Sequence, residues 1–369
     1  MLLPPRMVPI EDLPTPAVLV DVDVVSRNLG RMAQAARSAG VRLRPHAKTH
    51  KVPQVGRMQI AAGAAGLALA KTSEAEVFAA AGFDDIFLAY PVVGKGKPER
   101  LLALSEKIRL AVGVDSLDGA RALAAPFAAA GRRIEVLLKV DLGTRRVGVF
   151  PEAAPAMALR LGEIPGIALR GLFAHAGHAY GENTRTAVEA VGRNEGETLA
   201  EVARAVRSAG APVAEVSVGS TPTARSAMAA AGVTECRPGN FVYHDASQVS
   251  LGTCSLEDCA LTVIATVVSV PDSSRAVIDA GSKTLSSDPL RPTPGGHGFI
   301  LGRASRVTRL SEEHGVIETA PGETFTVGER VRVLPNHACV VSNLHDRIHA
   351  VREGRVVEVW RVAARGMVE

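Results

Sequence analysis

The chain has 369 residues, of which 47% are hydrophobic and 22% charged, with a formal net charge of +4 and a sequence pI near 9.0. That length is comfortable for two domains, and the thinly spread basic excess, with no Lys/Arg-rich run and few aromatics beside it, does not indicate a nucleic-acid surface. Four cysteines, Cys236, Cys254, Cys259 and Cys339, are too few for a disulfide framework in a chain this long.

The start, Met1-Leu-Leu-Pro-Pro-Arg6, lacks the apolar core of a signal peptide, and no apolar stretch reaches spanning length. A cytoplasmic enzyme with no membrane partner is the expectation. Only 4% of residues are aromatic, so the cores must be built from Ala, Val and Leu.

Residues 1–14 are Pro-rich and irregular. A beat of short apolar strands and Ala-rich helices follows. Strands are expected at Ala17–Asp21, around Leu43, and at Leu67–Ala70, Asp85–Ala89, Arg109–Gly113, Ile134–Val140, Ile167–Ala174 and Ala214–Val218. Helices are expected over Val24–Ala39, Val52–Ala62 and from Ser73, where Ser73-Glu-Ala-Glu76 reads as a capping box. Most helices end at a glycine stop. Eight such units argue for a closed (β/α)8 barrel over residues 15–249. An open doubly wound sheet is the runner-up, but no G-x-G-x-x-G follows the first strand. Near Gly252 the rhythm turns to strands and turns, so residues 250–369, with 1–14, read as an all-β domain.

The chemistry gathers at expected strand ends, where barrel enzymes carry their catalytic groups. Arg44-Pro-His46-Ala-Lys48-Thr-His-Lys51 places a lysine among other cations, an environment in which an amine gives up its proton and attacks carbonyls. Taken alone, these eight residues read more readily as an exposed basic loop, and the rest of the chain reverses that weighting. Lys139 to Gly148 puts Arg145 and Arg146 in a Gly-containing loop, and Ala174-His175-Ala-Gly-His178-Ala-Tyr180 ends another strand. The Gly219-Ser220-Thr221 and Gly239-Asn240 turns suit a phosphate dianion through backbone N–H groups and hydroxyls. In the β domain, Pro335-Asn-His337-Ala-Cys339 puts an imidazole and a thiol on one face of a strand. Such a pair can hold zinc with two positions open.

Together these stretches resemble the fold-type III pyridoxal-phosphate enzymes of the D-threonine aldolase and D-serine dehydratase family. The resemblance runs from Thr15-Pro-Ala-Val-Leu-Val-Asp21 to Pro335-Asn-His-Ala-Cys339, and its R-P-H-x-K-T-H-K and P-N-H-x-C stretches are specific. It implies that Lys48 carries pyridoxal 5'-phosphate covalently, with His46, Arg146 and Tyr180 around the cofactor and Arg146 at its phenolic oxygen. By the same likeness Gly219, Ser220, Thr221, Gly239 and Asn240 take the phosphate. His337 and Cys339 hold a divalent metal, zinc or failing that manganese, and a homodimer is implied.

The resemblance also implies a lyase acting on a D-β-hydroxy-α-amino acid. A dehydratase would give a 2-oxo acid and ammonia; an aldolase would give glycine and an aldehyde, with His175 or His178 as its base. The His-x-Cys pair leans toward the dehydratase, whereas Asn343-Leu-His-Asp346 is shared with aldolases. A racemase of this fold takes a tyrosine base from its β domain, and Tyr90, Tyr180 and Tyr243 all precede residue 250.

Overall fold

A computed structural model describes residues 8–290 and 295–369; the expectation for residues 1–7 lies outside them. Eight parallel strands share one sheet: β1 (Arg42–Leu43), β2 (Leu67–Leu69), β3 (Asp85–Pro91), β4 (Arg109–Val114), β5 (Ile134–Lys139), β6 (Ile167–Phe173), β7 (Glu215–Val218) and β8 (Glu235–Cys236). They pair in sequence from β2 to β8, and β8 then pairs with β1. A single bridge, His46 to Ala68, joins β1 to β2, helped by hydrogen bonds from Ala65 N to Leu43 O and from Ala68 N to Pro45 O. The expected (β/α)8 barrel forms, with its thinnest join beside Lys48.

One strand belongs elsewhere. Ala17–Asp21 forms as expected, but it pairs antiparallel with Leu261–Ile264 and parallel with His349–Val351 in the second sheet. Arg42 and Leu43 already occupy the position beside β8, through pairings with Glu235 and Cys236, so the barrel has no edge left for it. The strand missing from the expected set is β8. Two residues, one of them a glutamate, carry no apolar run for periodicity to detect. Asp21 links the two sheets: it ends its strand, and its side chain accepts from Asp23 N and Val24 N to cap the helix Val22–Ser38.

The capping box expected at Ser73–Glu76 is also displaced. Helix Thr72–Ala80 begins after Lys71, and the Glu74 carboxylate accepts from the backbone of Ala70 and Lys71. Glu76 instead pairs with Arg100 at 2.6 Å.

The second sheet has ten strands. Leu261–Asp272 pairs with both Arg275–Ile278 and Arg330–Pro335. This closes six strands, including Gly298–Ile300, Arg306–Leu310 and Gly315–Glu318, into a small antiparallel barrel. Two of the few aromatics lie under the site. Phe87 and Phe173 pack edge to face at 5.2 Å inside the large barrel, with the Arg237 guanidinium 5.6 and 5.3 Å from their ring centres.

The thin β1–β2 join is braced from inside by Arg44, 1% exposed. Its Nε donates to Glu235 of β8 at 2.8 Å, and its Nη1 donates to Asp85 of β3 at 2.6 Å. Gly66 leaves the room: a Cβ there, at φ +154°, would sit 2.5 Å from Asp85 O and also collide with Arg44 Nη1. Removing one partner of a buried ion pair strands the other charge. Arg44→Met should therefore cost about 3–5 kcal/mol, measured as a lower urea midpoint. An unchanged midpoint would show that the join does not depend on this pair.

Candidate active site

A cavity of ≈ 780 Å³ opens where the barrel strands end and the β domain leans over them. Its wall includes His46, Lys48, Arg146, His175, Tyr180, Gly219, Ser220, Thr221, Gly239 and Asn240 from the barrel half, and His337 and Cys339 from the β domain. Of the residues expected to act at the site, His178 is not brought to this wall. Its ring turns toward Gly143, where a Cβ would stand 3.3 Å from Cε1, and its Nδ1 is buried without a partner.

Lys48 sits in a single turn of 3-10 helix, Ala47–Thr49, between β1 and helix Pro53–Ala61. It reaches into the cavity and makes no ion pair among the described residues. Its depth in the protein pushes its pKa down, and Arg146 and Arg237 push the same way against the opposing pull of Cys339 and Glu74. Lys139, at the end of β5, is depressed to about 7 by burial and then by Arg237; its Nζ donates to Val140 O at 3.0 Å.

The histidines beside Lys48 are neutral. Burial and the Lys48 charge hold both His46 and His175 well below the ordinary imidazole value. His175 Nδ1 lies 2.7 Å from Gly219 O. Because the ring is neutral, Nδ1 is the donor and Nε2 keeps a lone pair. Burial keeps the Tyr180 phenol protonated, and its oxygen accepts from Gln248 Nε2 at 3.2 Å.

The two late turns follow β7 and β8, the usual place for phosphate in such barrels. Backbone N–H groups of Ser220, Thr221, Gly239 and Asn240 have no acceptor among the described residues. Open donors around one cavity fit a phosphate group. Gly219 departs from the expectation: its N–H already donates to Glu195 Oε1 at 3.0 Å. Its glycine is explained instead by φ +138° and by backbone contact, since a Cβ would meet Arg237 N at 2.7 Å.

His337 and Cys339 do not lie on a strand. The strand ends at Pro335, His337 caps the next helix, and Cys339 stands in its first turn, Ala338–Leu344. The turn still brings the two together. Burial works against both charges, but the partner wins: the thiolate raises His337 to about 10, and the imidazolium lowers the Cys339 thiol. No cluster of three or more His, Cys, Asp or Glu side chains is arranged for a metal among the described residues. The pair is a two-donor imidazole–thiolate set, which fits an ion that keeps positions for water and substrate.

Charged residues that the sequence reading gave no role also line the cavity: Lys71, Lys139, Arg237, Asp245 and Asp288. Lys139 opens the Lys139–Gly148 loop and Arg237 stands two residues before Gly239, so strand-end position could have found them. Asp245 and Asp288 carry no such signal, because only the tertiary fold brings them in.

Comparison with known proteins agrees with this layout. The alanine racemase N-terminal domain family matches residues 20–247, and a putative serine dehydratase domain matches residues 260–351. The chain is 36% identical to the D-threo-3-hydroxyaspartate dehydratase of Delftia sp. strain HT23, over 94% of this chain and 97% of that protein. It is 30% identical to the D-serine dehydratase of Dictyostelium discoideum, over 93% and 94% of the two chains. The solved D-threonine aldolase of Filomicrobium marinum superposes with a TM-score of 0.91 at 32% identity, covering 100% of both chains. A D-threo-3-hydroxyaspartate dehydratase variant with cysteine changed to alanine, solved in the metal-free form, superposes at 0.88 with 36% identity over 96% and 98%. A lysine-bearing barrel mouth, a phosphate-ready pair of turns and this likeness across both domains lead to one conclusion: the chain belongs to the D-threonine aldolase and D-serine dehydratase family of pyridoxal-phosphate-dependent lyases, built on the alanine racemase-like fold.

Proposed function

We propose that this lyase is a dehydratase of the D-serine ammonia-lyase type, converting a D-β-hydroxy-α-amino acid to a 2-oxo acid and ammonia. The observation that carries the reading is the His337–Cys339 pair facing Lys48 across one cavity. A thiolate and an imidazole are donors of the type that hold zinc, with manganese the second choice.

Pyridoxal phosphate, when bound, supplies an electron sink that weakens the bonds at the substrate Cα. His337 and Cys339 would hold a metal ion, which would supply a Lewis acid for the β-hydroxyl. The chain's own groups do the rest. Ser220, Thr221, Gly239 and Asn240 offer the phosphate their open N–H groups, and Arg146 borders the ring. The depressed Lys48 amine, once free, takes the α-proton at Nζ. The β-hydroxyl then leaves as water with the proton that Lys48 took from Cα, and water hydrolyses the released enamine to the 2-oxo acid and ammonia. Neutral His46 and His175 add no charge beside that amine. In this reading the enzyme works as a homodimer on a free amino acid.

One observation favours the aldolase. His175 lines the cavity as a neutral imidazole with Nε2 unprotonated, which suits a base at the β-hydroxyl. Against it, the dehydratase needs no base beyond Lys48.

Three outcomes test the reading. Lys48→Ala should abolish the covalent cofactor absorbance and lower turnover by about 10²–10⁴-fold; a retained band removes Lys48 from its role. Chelation with EDTA should stop turnover while the cofactor stays bound, and added Zn2+ should restore it; full activity without metal refutes the His337/Cys339 assignment. Product analysis with D-serine, D-threonine and D-threo-3-hydroxyaspartate should find keto acid and ammonia. Glycine with an aldehyde would establish the aldolase instead.

A further inference from the structure

His337 has a partner that neither the P-N-H-x-C stretch nor the resemblance supplies. Its Nδ1 lies 2.6 Å from Asp288 Oδ2, across 49 residues of chain. The contact is built from two sides. Asn336, fully buried and next to His337 in sequence, donates from Nδ2 to the Asp288 carbonyl at 3.0 Å and to Gly296 O at 2.8 Å. Asp288 N donates to Ser286 Oγ at 3.2 Å, and Ser286 itself takes the uncommon φ of +67°. The loop bearing Asp288 is therefore held through its own backbone by the Asn336 side chain, independently of the contact between carboxylate and imidazole. Ser247 fastens the same turn from the barrel side, donating from Oγ to Asn336 O at 2.8 Å. A chance surface ion pair would not need these ties.

We propose that Asp288 is the positioning residue of the metal pair: it holds the His337 ring so that Nε2 faces the cavity beside Cys339. The inference rests on the reading that His337 and Cys339 bind a metal. An ionised carboxylate only accepts, so the Nδ1 atom beside it must carry the proton. An ion that displaces the second proton of the imidazolium then meets the lone pair at Nε2, the nitrogen that Asp288 leaves free. Carboxylate partners of this kind orient metal-ligating histidines and raise their basicity. In the P-N-H-x-C stretch the roles separate: His337 and Cys339 are the donors, and Asn336 is the fastener that presents Asp288 to His337.

The test measures Zn2+ affinity of the cofactor-loaded protein, by competition with a chromophoric chelator, for wild type and the Asp288→Ala, Asp288→Asn, His337→Ala and double Asp288→Ala/His337→Ala variants. Asp288→Ala should weaken Zn2+ binding by about 10–100-fold while the cofactor absorbance stays at its wild-type level. Asp288→Asn, which keeps an oxygen acceptor for Nδ1–H, should lose less. In the His337→Ala background, Asp288→Ala should have little further effect. Wild-type affinity in Asp288→Ala overturns the inference. So does an undiminished loss in the double variant, because Asp288 would then act on the ion without His337. If His337→Ala itself leaves Zn2+ binding unchanged, the metal reading fails and this inference fails with it; if only Asp288→Ala is without effect, the metal reading stands.

Discussion

The site depends on one buried carboxylate, Asp245, 1% exposed. It accepts from Asn240 Nδ2 at 2.5 Å, from Gln248 N at 3.1 Å and from Ala338 N at 2.9 Å. The first donor belongs to a phosphate-ready turn, the second to the helix Ala246–Ser250, and the third lies between His337 and Cys339. A buried carboxylate is tolerable only when its lone pairs are met, so these three pieces must be assembled together or not at all. Asp245 thereby sets the distance between two kinds of chemistry that neither domain contains alone: the lysine and phosphate turns of the barrel, and the imidazole–thiolate pair of the β domain.

The residues after Lys48 tighten the same joint. Cys339 Sγ lies 3.4 Å from Thr49 Oγ1, whose hydroxyl can donate to the thiolate, and Ser342 Oγ donates to His50 O at 3.0 Å. Lys51, held at φ 54°, ion-pairs with Glu74 at 3.3 Å and donates to Met367 O at 3.2 Å. Lys-Thr-His-Lys thus divides its work: Lys48 faces the cavity, and the next three residues anchor its turn to the β domain and the tail. That division explains how a stretch so rich in cations can be buried. His50 is brought to about 4 by burial, so it packs as a neutral ring, and Lys51 has a carboxylate.

Much of this was legible in the chain because short apolar runs alternate regularly with Ala-rich helices, a pattern strong enough to declare a barrel. The polar turns at strand ends pointed to part of the cavity wall. What periodicity could not show were contacts decided across long separations. Ala17–Asp21 has the same apolar character as a barrel strand, and only its partner, Leu261–Ile264, reveals its sheet. The β8 strand is two residues long, below what any pattern resolves. His337 and Cys339 were found for a reason the fold did not use: the strand stops at Pro335, and a turn rather than a pleat brings them together. Asp245 and Asp288 look like ordinary loop acids until the fold places them against Asn240 and His337.

The placement of Ala17–Asp21 has a consequence for how the chain is made. Its hydrogen-bonding partners lie about 240 residues later and, on the other side, about 330 residues later. At ribosomal speeds of roughly 5–20 residues per second, this apolar segment waits tens of seconds for a neighbour. The large barrel can close in that interval because all eight of its strands precede residue 237. Birth order and spatial order thus disagree at the amino end, and the nascent chain must shelter four nearly solvent-free residues, Ala17 to Val20, until its last third emerges.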